Sequence, residues 1–156
     1  MSSTVSRIAR VTGDGPMVRP PPVVPAAREL LGTARHDLAA ATATTVATER
    51  YAAAHLAALR TAAAVLAVRT RPAATKRPRN VWSMLPQVAP ELTEWAAFFA
   101  AGASKRAAAE AGLSRAVTPR EADDLLRDAQ TFLALVETTL GLDHQPVLPL
   151  LAPRAS

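Results

Sequence analysis

The feature that most constrains this fold is the run from Thr48 to Val68, which contains neither glycine nor proline. Alanine dominates the run, and alanine has the highest helix propensity of all residues. Larger side chains recur at spacings of three and four, which predicts one buried helix face. The predicted face comprises Tyr51, His55, Leu59, Ala62 and Leu66, widened by Leu56 and Ala63. We therefore predict that this run is the central helix of a small bundle.

Proline and glycine residues mark where two further helices begin and end. Pro25 suits the first position of a helix, because its missing N–H group would have no partner there. Apolar residues then recur with helical spacing to about Ala41. Pro90 begins a third helix, which we expect to run through Gly102 and to end near Gly112. This third helix supplies the largest side chains of the predicted core: Leu92, Trp95, Phe98 and Phe99.

The fourth helix has the clearest start in the chain. Thr118 is a predicted N-cap, Pro119 takes the first helical position, and Glu121 completes a capping box. An amphipathic stripe follows, and Gly141 is expected to end the helix. A short helical turn over residues 81–85 is expected between the second and third helices. The residues we predict to be largely buried are Tyr51, Leu59, Leu66, Trp95, Phe99, Leu126, Leu133 and Val136.

Together these elements predict an all-α fold, an antiparallel bundle of four helices, or five if the short turn is counted. The brief connection between the first two helices favours antiparallel neighbours. The helical domain is expected over residues 25–141. A proline-rich N-terminal tail, residues 1–24, and an irregular C-terminal tail with several prolines, residues 142–156, are expected to be disordered.

Charge is unevenly distributed along the chain, whose net charge is +5. Residues 69–120 carry nine basic and three acidic side chains, whereas residues 121–156 carry two and six. Five of the basic residues lie in one proline-containing stretch that is expected to form a loop: Arg69, Arg71, Lys76, Arg77 and Arg79. Clustered charge on a loop suits backbone phosphates, so RNA or another phosphate-bearing ligand is one expected partner. A solvated linker, or a contact with the acidic part of the chain, is the alternative.

Several kinds of chemistry have no counterpart in the sequence. The chain has no cysteine, which excludes disulfides and thiolate metal sites. It has no glycine-rich phosphate loop and no zinc-ligand spacing, so we expect no cofactor. Asp123, Asp124 and Asp128 are expected on an exposed helix face, and we expect no metal there. No signal peptide is evident and Arg60 interrupts the central apolar run, so we expect a cytoplasmic protein without a membrane span.

Four blocks of sequence resemble a known family. They are Tyr51–Arg60, Val81–Pro86, Pro90–Phe99 and Arg120–Arg127, and they resemble the HEPN domain, more narrowly an actinobacterial HEPN subfamily. The resemblance covers about residues 26–141. It implies a helical bundle that is often a homodimer. It also implies membership of a group that includes metal-independent ribonucleases and non-catalytic nucleotide-binding or toxin–antitoxin components.

The resemblance also makes Arg50 and His55 the candidate catalytic pair. Catalytic HEPN domains carry an arginine followed, after four to six residues, by a histidine, and this pair has that spacing. Five helical steps, however, place the two side chains about 140° apart and about 7.5 Å along the helix axis. We therefore predict a non-enzymatic binding module for RNA, nucleotide or a partner protein. The alternatives are a metal-independent ribonuclease, in which His55 acts as acid or base and Arg50 stabilises phosphate charge in a homodimer, and a pure protein-interaction adaptor.

Overall fold

Six α-helices and one short 3-10 helix make up the part of the chain that the structure, a computed structural model, describes: residues 24–70 and 80–142. The elements are α1 (Pro25–Ala43), α2 (Ala47–Arg69), α3 (Val81–Val88), a 3-10 turn (Pro90–Leu92), α4 (Thr93–Ala101), α5 (Ala103–Glu110) and α6 (Pro119–Thr139). No strand occurs within these two ranges, and the predicted all-α helical bundle is confirmed. The predictions made for residues 1–23, 71–79 and 143–156 lie outside the described residues.

The ends of α5 and α6 follow from local backbone chemistry. The Thr118 hydroxyl accepts the Glu121 N–H at 3.1 Å, and the Glu121 carboxylate accepts the Thr118 N–H at 3.4 Å. This capping box, with Pro119 at the first helical position, confirms the predicted start of α6. Gly112 and Gly141 follow the last turns of α5 and α6 with φ values of 80° and 74°. Side chains with a Cβ rarely adopt such angles, which explains why glycine ends both helices.

Helix α2 lies at the centre of the bundle, in contact with α1, α3, α5 and α6. Its buried face, however, differs from the predicted one. The face is formed by small side chains around one tyrosine and one histidine: Tyr51, Ala54, His55, Ala57, Ala58, Thr61, Ala62, Ala64 and Val65. Leu56, Leu59, Ala63 and Leu66 are only partly buried. Small side chains let α1 and α6 pack closely on α2, so the larger leucines lie at the margins of the helix–helix contacts.

The fully buried core contains half of the residues that we predicted to be largely buried. Four of the eight residues predicted to be buried are buried, namely Tyr51, Phe99, Leu133 and Val136. The other four, Leu59, Leu66, Trp95 and Leu126, are partly exposed. The largest fully buried side chains are Phe99 and Phe132, whose ring centroids are 5.1 Å apart. Trp95 lies at the edge of this aromatic core, with its ring centroid 5.4 Å from that of Phe132.

The predicted third helix is interrupted at Gly102, where α4 ends and α5 begins. The expectation of one continuous helix was wrong. A Cβ atom added at Gly102 would lie 2.8 Å from the Tyr51 hydroxyl oxygen and 3.4 Å from the His55 ring. The α4–α5 junction thus approaches α2 so closely that only glycine fits without a shift of neighbouring atoms.

By length and composition alone, α2 is the one described helix that could cross a membrane. We expected no such helix because Arg60 lies within it, but one charged residue does not exclude a helix of this length and hydropathy. Half of its most apolar stretch is buried against the rest of the fold, and core helices of soluble proteins can have the same length and composition. Arg60 itself pairs with Asp37 of α1.

Candidate functional site

Arg50 connects three elements of the bundle. Its Nε donates to the carbonyl oxygen of Ala41 at 2.9 Å, and one terminal nitrogen donates to that of Thr44 at 2.5 Å. The other terminal nitrogen contacts a carboxylate oxygen of Asp123 on α6 at 2.5 Å. The first two contacts satisfy carbonyl groups at the C-terminal end of α1, which have no partners within that helix. All three guanidinium nitrogens therefore have partners within the chain.

His55 is fully buried in the aromatic core. Its ring stacks on Tyr51, with centroids 6.4 Å apart, and meets the edges of Trp82 and Phe99 at 5.9 and 6.1 Å. Its Nε2 lies 2.8 Å from the carbonyl oxygen of Phe99. That oxygen also accepts the Gly102 N–H at 3.1 Å, at the point where α4 ends. His55 thus contributes to satisfying a backbone carbonyl at the helix break.

The protonation state of His55 follows from these contacts. A carbonyl oxygen can only accept, so Nε2 carries the proton and Nδ1 has a free lone pair. Nδ1 is buried and has no hydrogen-bond partner among the described residues. Burial lowers the pKa of His55 below its usual value, despite the opposing effect of the Phe99 carbonyl. His55 is therefore a neutral histidine without access to solvent.

The candidate pair does not share a site in this conformation. Arg50 binds the end of α1 and the start of α6, whereas His55 binds α4. Phosphate binding by Arg50 would require the loss of at least one of its contacts. Proton transfer by His55 would require its ring to reach solvent.

Of the five predicted loop residues, only Arg69 lies within the described residues. Its guanidinium donates to the Glu91 carboxylate at 2.6 Å and to the carbonyl oxygen of Val88 at 3.3 Å. The hydrogen bond from Arg69 lowers the pKa of Glu91. Arg69 therefore joins the end of α2 to the region between α3 and α4. The remaining four predicted phosphate-binding residues lie outside the described residues: Arg71, Lys76, Arg77 and Arg79.

A cluster around Tyr51 was not predicted from the sequence. Gly102 places the α4–α5 junction against the Tyr51 hydroxyl, and burial raises the pKa of that hydroxyl. Lys105 of α5 pairs with Glu121 of α6 beside it, which raises the pKa of Lys105 and lowers that of Glu121. The sequence signal was present in the glycine within a helical stretch, which often marks a close approach of backbone. These contacts fix α5 between α2 and α6.

A shallow groove on the surface of α4 was also missed. Trp95, Phe98 and Glu94 line a depression on α4, and the Phe98 side chain is 46% exposed. Leu135 is 39% exposed and lies one turn beyond Phe132, whose ring packs on Trp95. We had predicted Trp95 and Phe98 as core side chains. The groove instead leaves both of them accessible.

Two aspartates in the first half of α6 pair with arginine side chains. Asp123 binds Arg50, and Asp124 lies 3.8 Å from Arg127. Within residues 24–70 and 80–142 there is no group of three histidine, aspartate or glutamate side chains arranged to hold a metal ion. Asp128 is partly buried, and that burial raises its pKa.

The described helices form an all-α bundle around α2, the class of fold to which the HEPN domain belongs. A family model described as HEPN_SAV_6107-like HEPN matches residues 40–137, more than half of the chain. The chain therefore belongs to the SAV_6107-like HEPN family. The matched region starts in the last turn of α1, includes Arg50 and His55, and ends within α6. No curated protein and no solved structure matches the chain.

Proposed function

We propose that this HEPN protein is a non-enzymatic binding module of the cytoplasm whose ligand carries phosphate groups, with single-stranded RNA as the first candidate. The observation that carries the non-enzymatic part is the burial of His55. Its ring is enclosed by aromatic side chains and its Nε2 is engaged by a backbone carbonyl. A general acid or base must lie within hydrogen-bond reach of the proton it transfers, directly or through one water.

The contacts of Arg50 support the same proposal. An arginine that stabilises a phosphorane or phosphate needs donors directed at the ligand. All three nitrogens of Arg50 instead serve Ala41, Thr44 and Asp123. These contacts close the turn between α1 and α2 against α6, which is a structural role.

The proposal that the ligand carries phosphate rests on the cluster of basic side chains in residues 69–79. The stretch of residues 69–79 contains five basic side chains. Among the described residues it includes Arg69, the last residue of α2, whose guanidinium pairs with the Glu91 carboxylate. Phosphate groups attract such a cluster without a requirement for fixed geometry. Binding through these residues is expected to be salt-dependent and tolerant of sequence.

We also propose that the protein forms a homodimer through α2. A stripe of partly buried apolar side chains lies along this helix at alternating spacings of four and three: Ala52, Leu56, Leu59, Ala63 and Leu66. This spacing is typical of helices that pack side by side. A two-fold axis would place two copies of the stripe against each other. Sedimentation is expected to show a dimer at tens of micromolar, and Leu56→Glu with Leu66→Glu is expected to give a monomer that is still helical.

The phosphate-ligand proposal is tested by titrating a labelled single-stranded RNA across a range of salt concentrations. The test variant replaces three loop residues with alanine: Lys76, Arg77 and Arg79. The matched control replaces three exposed arginines elsewhere, which removes the same charge: Arg28, Arg115 and Arg127. Each phosphate contact with a single strand contributes about 0.7 to the log–log salt slope, so the test variant is expected to lose up to about 2. Equal losses in both variants would show that only net charge matters.

Assays on the wild-type protein and its variants also distinguish the two alternative functions, a ribonuclease and a protein-interaction adaptor. Cleavage of the RNA without metal, abolished in both Arg50→Ala and His55→Ala variants that remain folded, would establish the ribonuclease instead. The ribonuclease alternative is favoured by the sequence spacing of Arg50 and His55, which matches that of catalytic HEPN domains. Absence of RNA binding at low salt, in wild type and variants alike, would leave a protein-interaction adaptor. Duplex DNA is the comparison ligand, since a sequence-tolerant phosphate site is expected to bind it as well.

A further inference from the structure

We propose that His55 acts as a pH switch: protonation of its ring opens the α4–α5 junction at Gly102, while α1, α2 and α6 stay packed. The proposal is independent of the phosphate ligand and of the dimer proposed above. It concerns the one histidine that is buried within residues 24–70 and 80–142. Histidine is the side chain whose charge changes between about pH 5 and pH 8 in ordinary surroundings.

The site around His55 fits the neutral ring better than the charged one. The ring is fully buried, with the aromatic rings of Tyr51, Trp82 and Phe99 around it. Its Nε2–H donates to the Phe99 carbonyl oxygen, whereas Nδ1 is buried and without a hydrogen-bond partner in the described part of the chain. Protonation places a second N–H donor and a positive charge in this enclosure. An unpaired buried donor costs about 1–3 kcal/mol, and more when it is charged.

The charges nearest to His55 come from α5. Burial lowers the pKa of His55, the Phe99 carbonyl raises it, Arg106 lowers it and Glu110 raises it, in decreasing order of effect. Arg106 and Glu110 lie 4.0 Å apart on the same helix, so their charges partly offset each other at the ring. The enclosed ring therefore gains little from its charged neighbours when it takes up a proton.

The other elements that pack around His55 supply no acceptor for a protonated Nδ1. Helix α3 has no titratable side chain, and that of α4 is Glu94, which lies on the exposed face of the helix. Burial raises the pKa of Tyr51, so its hydroxyl stays neutral. Beyond Tyr51, Lys105 of α5 and Glu121 of α6 pair with each other. The protonated ring must therefore reach water to satisfy its second donor.

The backbone of the α4–α5 junction covers one edge of the His55 ring. A Cβ atom added at Gly102 would lie 3.4 Å from Cδ2 and 3.5 Å from Nε2 of that ring. The two helices are interrupted at the same point, where the Gly102 N–H donates to the Phe99 carbonyl and no side chain caps the start of α5. Displacing this segment admits water to the ring without breaking a continuous helix.

The opening stays local because the remaining helices hold one another. Helix α2 packs most extensively on α1 and α6, whereas the backbone of α4 lies close mainly to α3, the 3-10 turn and α5. Side chains join α4 to the rest of the bundle, with Phe99 against His55 and Trp95 against Phe132. Loss of the His55 contact removes one of these links. Segments with few such links open at a lower free energy than the whole domain.

The test follows protonation and opening in the same samples of the full chain, from about pH 7 to about pH 4.5. Nuclear magnetic resonance follows the Cε1 proton of His55, which is assigned by its loss in His55→Gln. Amide hydrogen exchange, corrected for its intrinsic pH dependence, follows opening over residues 99–106, with residues 27–41 of α1 as the internal reference. As His55 takes up its proton, we expect protection over residues 99–106 to fall at least about tenfold more than in α1. In His55→Gln, protection over residues 99–106 is expected to stay constant relative to α1.

Two matched variants change the charge near His55 and leave its hydrogen bond to Phe99 in place. Arg106→Gln removes the cation that opposes protonation, so it is expected to raise the midpoints of both titration and opening by about 0.5 pH unit. Glu110→Gln removes the opposing charge and is expected to lower both midpoints by a smaller amount. These variants decide the proposal even if His55→Gln fails to fold.

Four results would overturn the pH switch. The first is a His55 ring that becomes protonated while residues 99–106 stay protected, and the second is a ring that stays neutral to about pH 4.5. The third is an equal loss of protection in α1, because the chain would then unfold as a whole. The fourth is a midpoint of opening that does not move with the His55 midpoint in Arg106→Gln and Glu110→Gln, because another group would then control the junction.

Discussion

Replacing Gly102 with alanine tests the close approach that closes the bundle around His55. Gly102 has φ −84° and ψ −5°, angles that alanine adopts without strain. In an open site the replacement would therefore stabilise the protein by about 0.4–1 kcal/mol. Here the new Cβ would lie 2.8 Å from the Tyr51 hydroxyl, and ordinary contact begins near 3.4 Å. Overpacking of a core costs about 1–3 kcal/mol, so we expect Gly102→Ala to lower the free energy of unfolding by about 1–2 kcal/mol.

The assay is a double-mutant cycle by urea denaturation with wild type, Gly102→Ala, Tyr51→Phe and the double variant. Tyr51→Phe removes the oxygen that the new Cβ would meet. In that background we expect Gly102→Ala to be neutral or mildly stabilising, which gives a coupling of at least about 1 kcal/mol. A stabilising Gly102→Ala in the wild-type background would refute the close approach. Equal losses in both backgrounds would place the cost on His55, whose ring lies 3.4 Å from the same position.

Three further predictions concern Arg50, His55 and the leucines. Arg50→Ala is expected to lower the free energy of unfolding by about 2 kcal/mol, measured by urea denaturation, because hydrogen bonds from a charged group to the α1 carbonyls are lost. Burial lowers the pKa of His55, so the unfolded chain binds more protons below its pKa of about 6.5. Stability is therefore expected to fall as pH decreases from about 6.5 towards the folded pKa, and His55→Gln should reduce this dependence. Leu38→Ala is expected to cost about 2–5 kcal/mol, but Leu59→Ala only about 1 kcal/mol because Leu59 is partly exposed.

The ends of the helices were largely predictable because their determinants are local. Pro119 at a helix start, the Thr118–Glu121 box and glycine at helix ends act within a few residues. The buried face of α2 was not predictable in the same way. Alanine carries almost no amphipathic signal, so the prediction followed the leucines. Close packing of α1 and α6 instead selected the alanine face and left Leu59 and Leu66 at its margins.

The residues of the candidate site were predictable from the sequence, but their contacts were not. Spacing identified Arg50 and His55 as the notable pair, and the family match covers both. Their partners come from elements distant in sequence, such as Asp123 and the carbonyl of Phe99, and no local pattern specifies those contacts. Whether the pair takes part in catalysis stays a prediction, to be decided by the cleavage assay.

The break at Gly102 and the burial of His55 are parts of one arrangement. Ending α4 at that point leaves the Phe99 carbonyl available, and His55 is the side chain that reaches it at 2.8 Å. If His55 turned out to solvent, the carbonyl would lose this donor, and the aromatic rings around it would lose their central contact. Any catalytic role for His55 would therefore require the α4–α5 junction to open. Hydrogen exchange of amides over residues 99–106 measures this opening: a ribonuclease would show faster exchange there when RNA is bound. We expect no such increase, because a binding module that uses the 69–79 stretch leaves the junction closed.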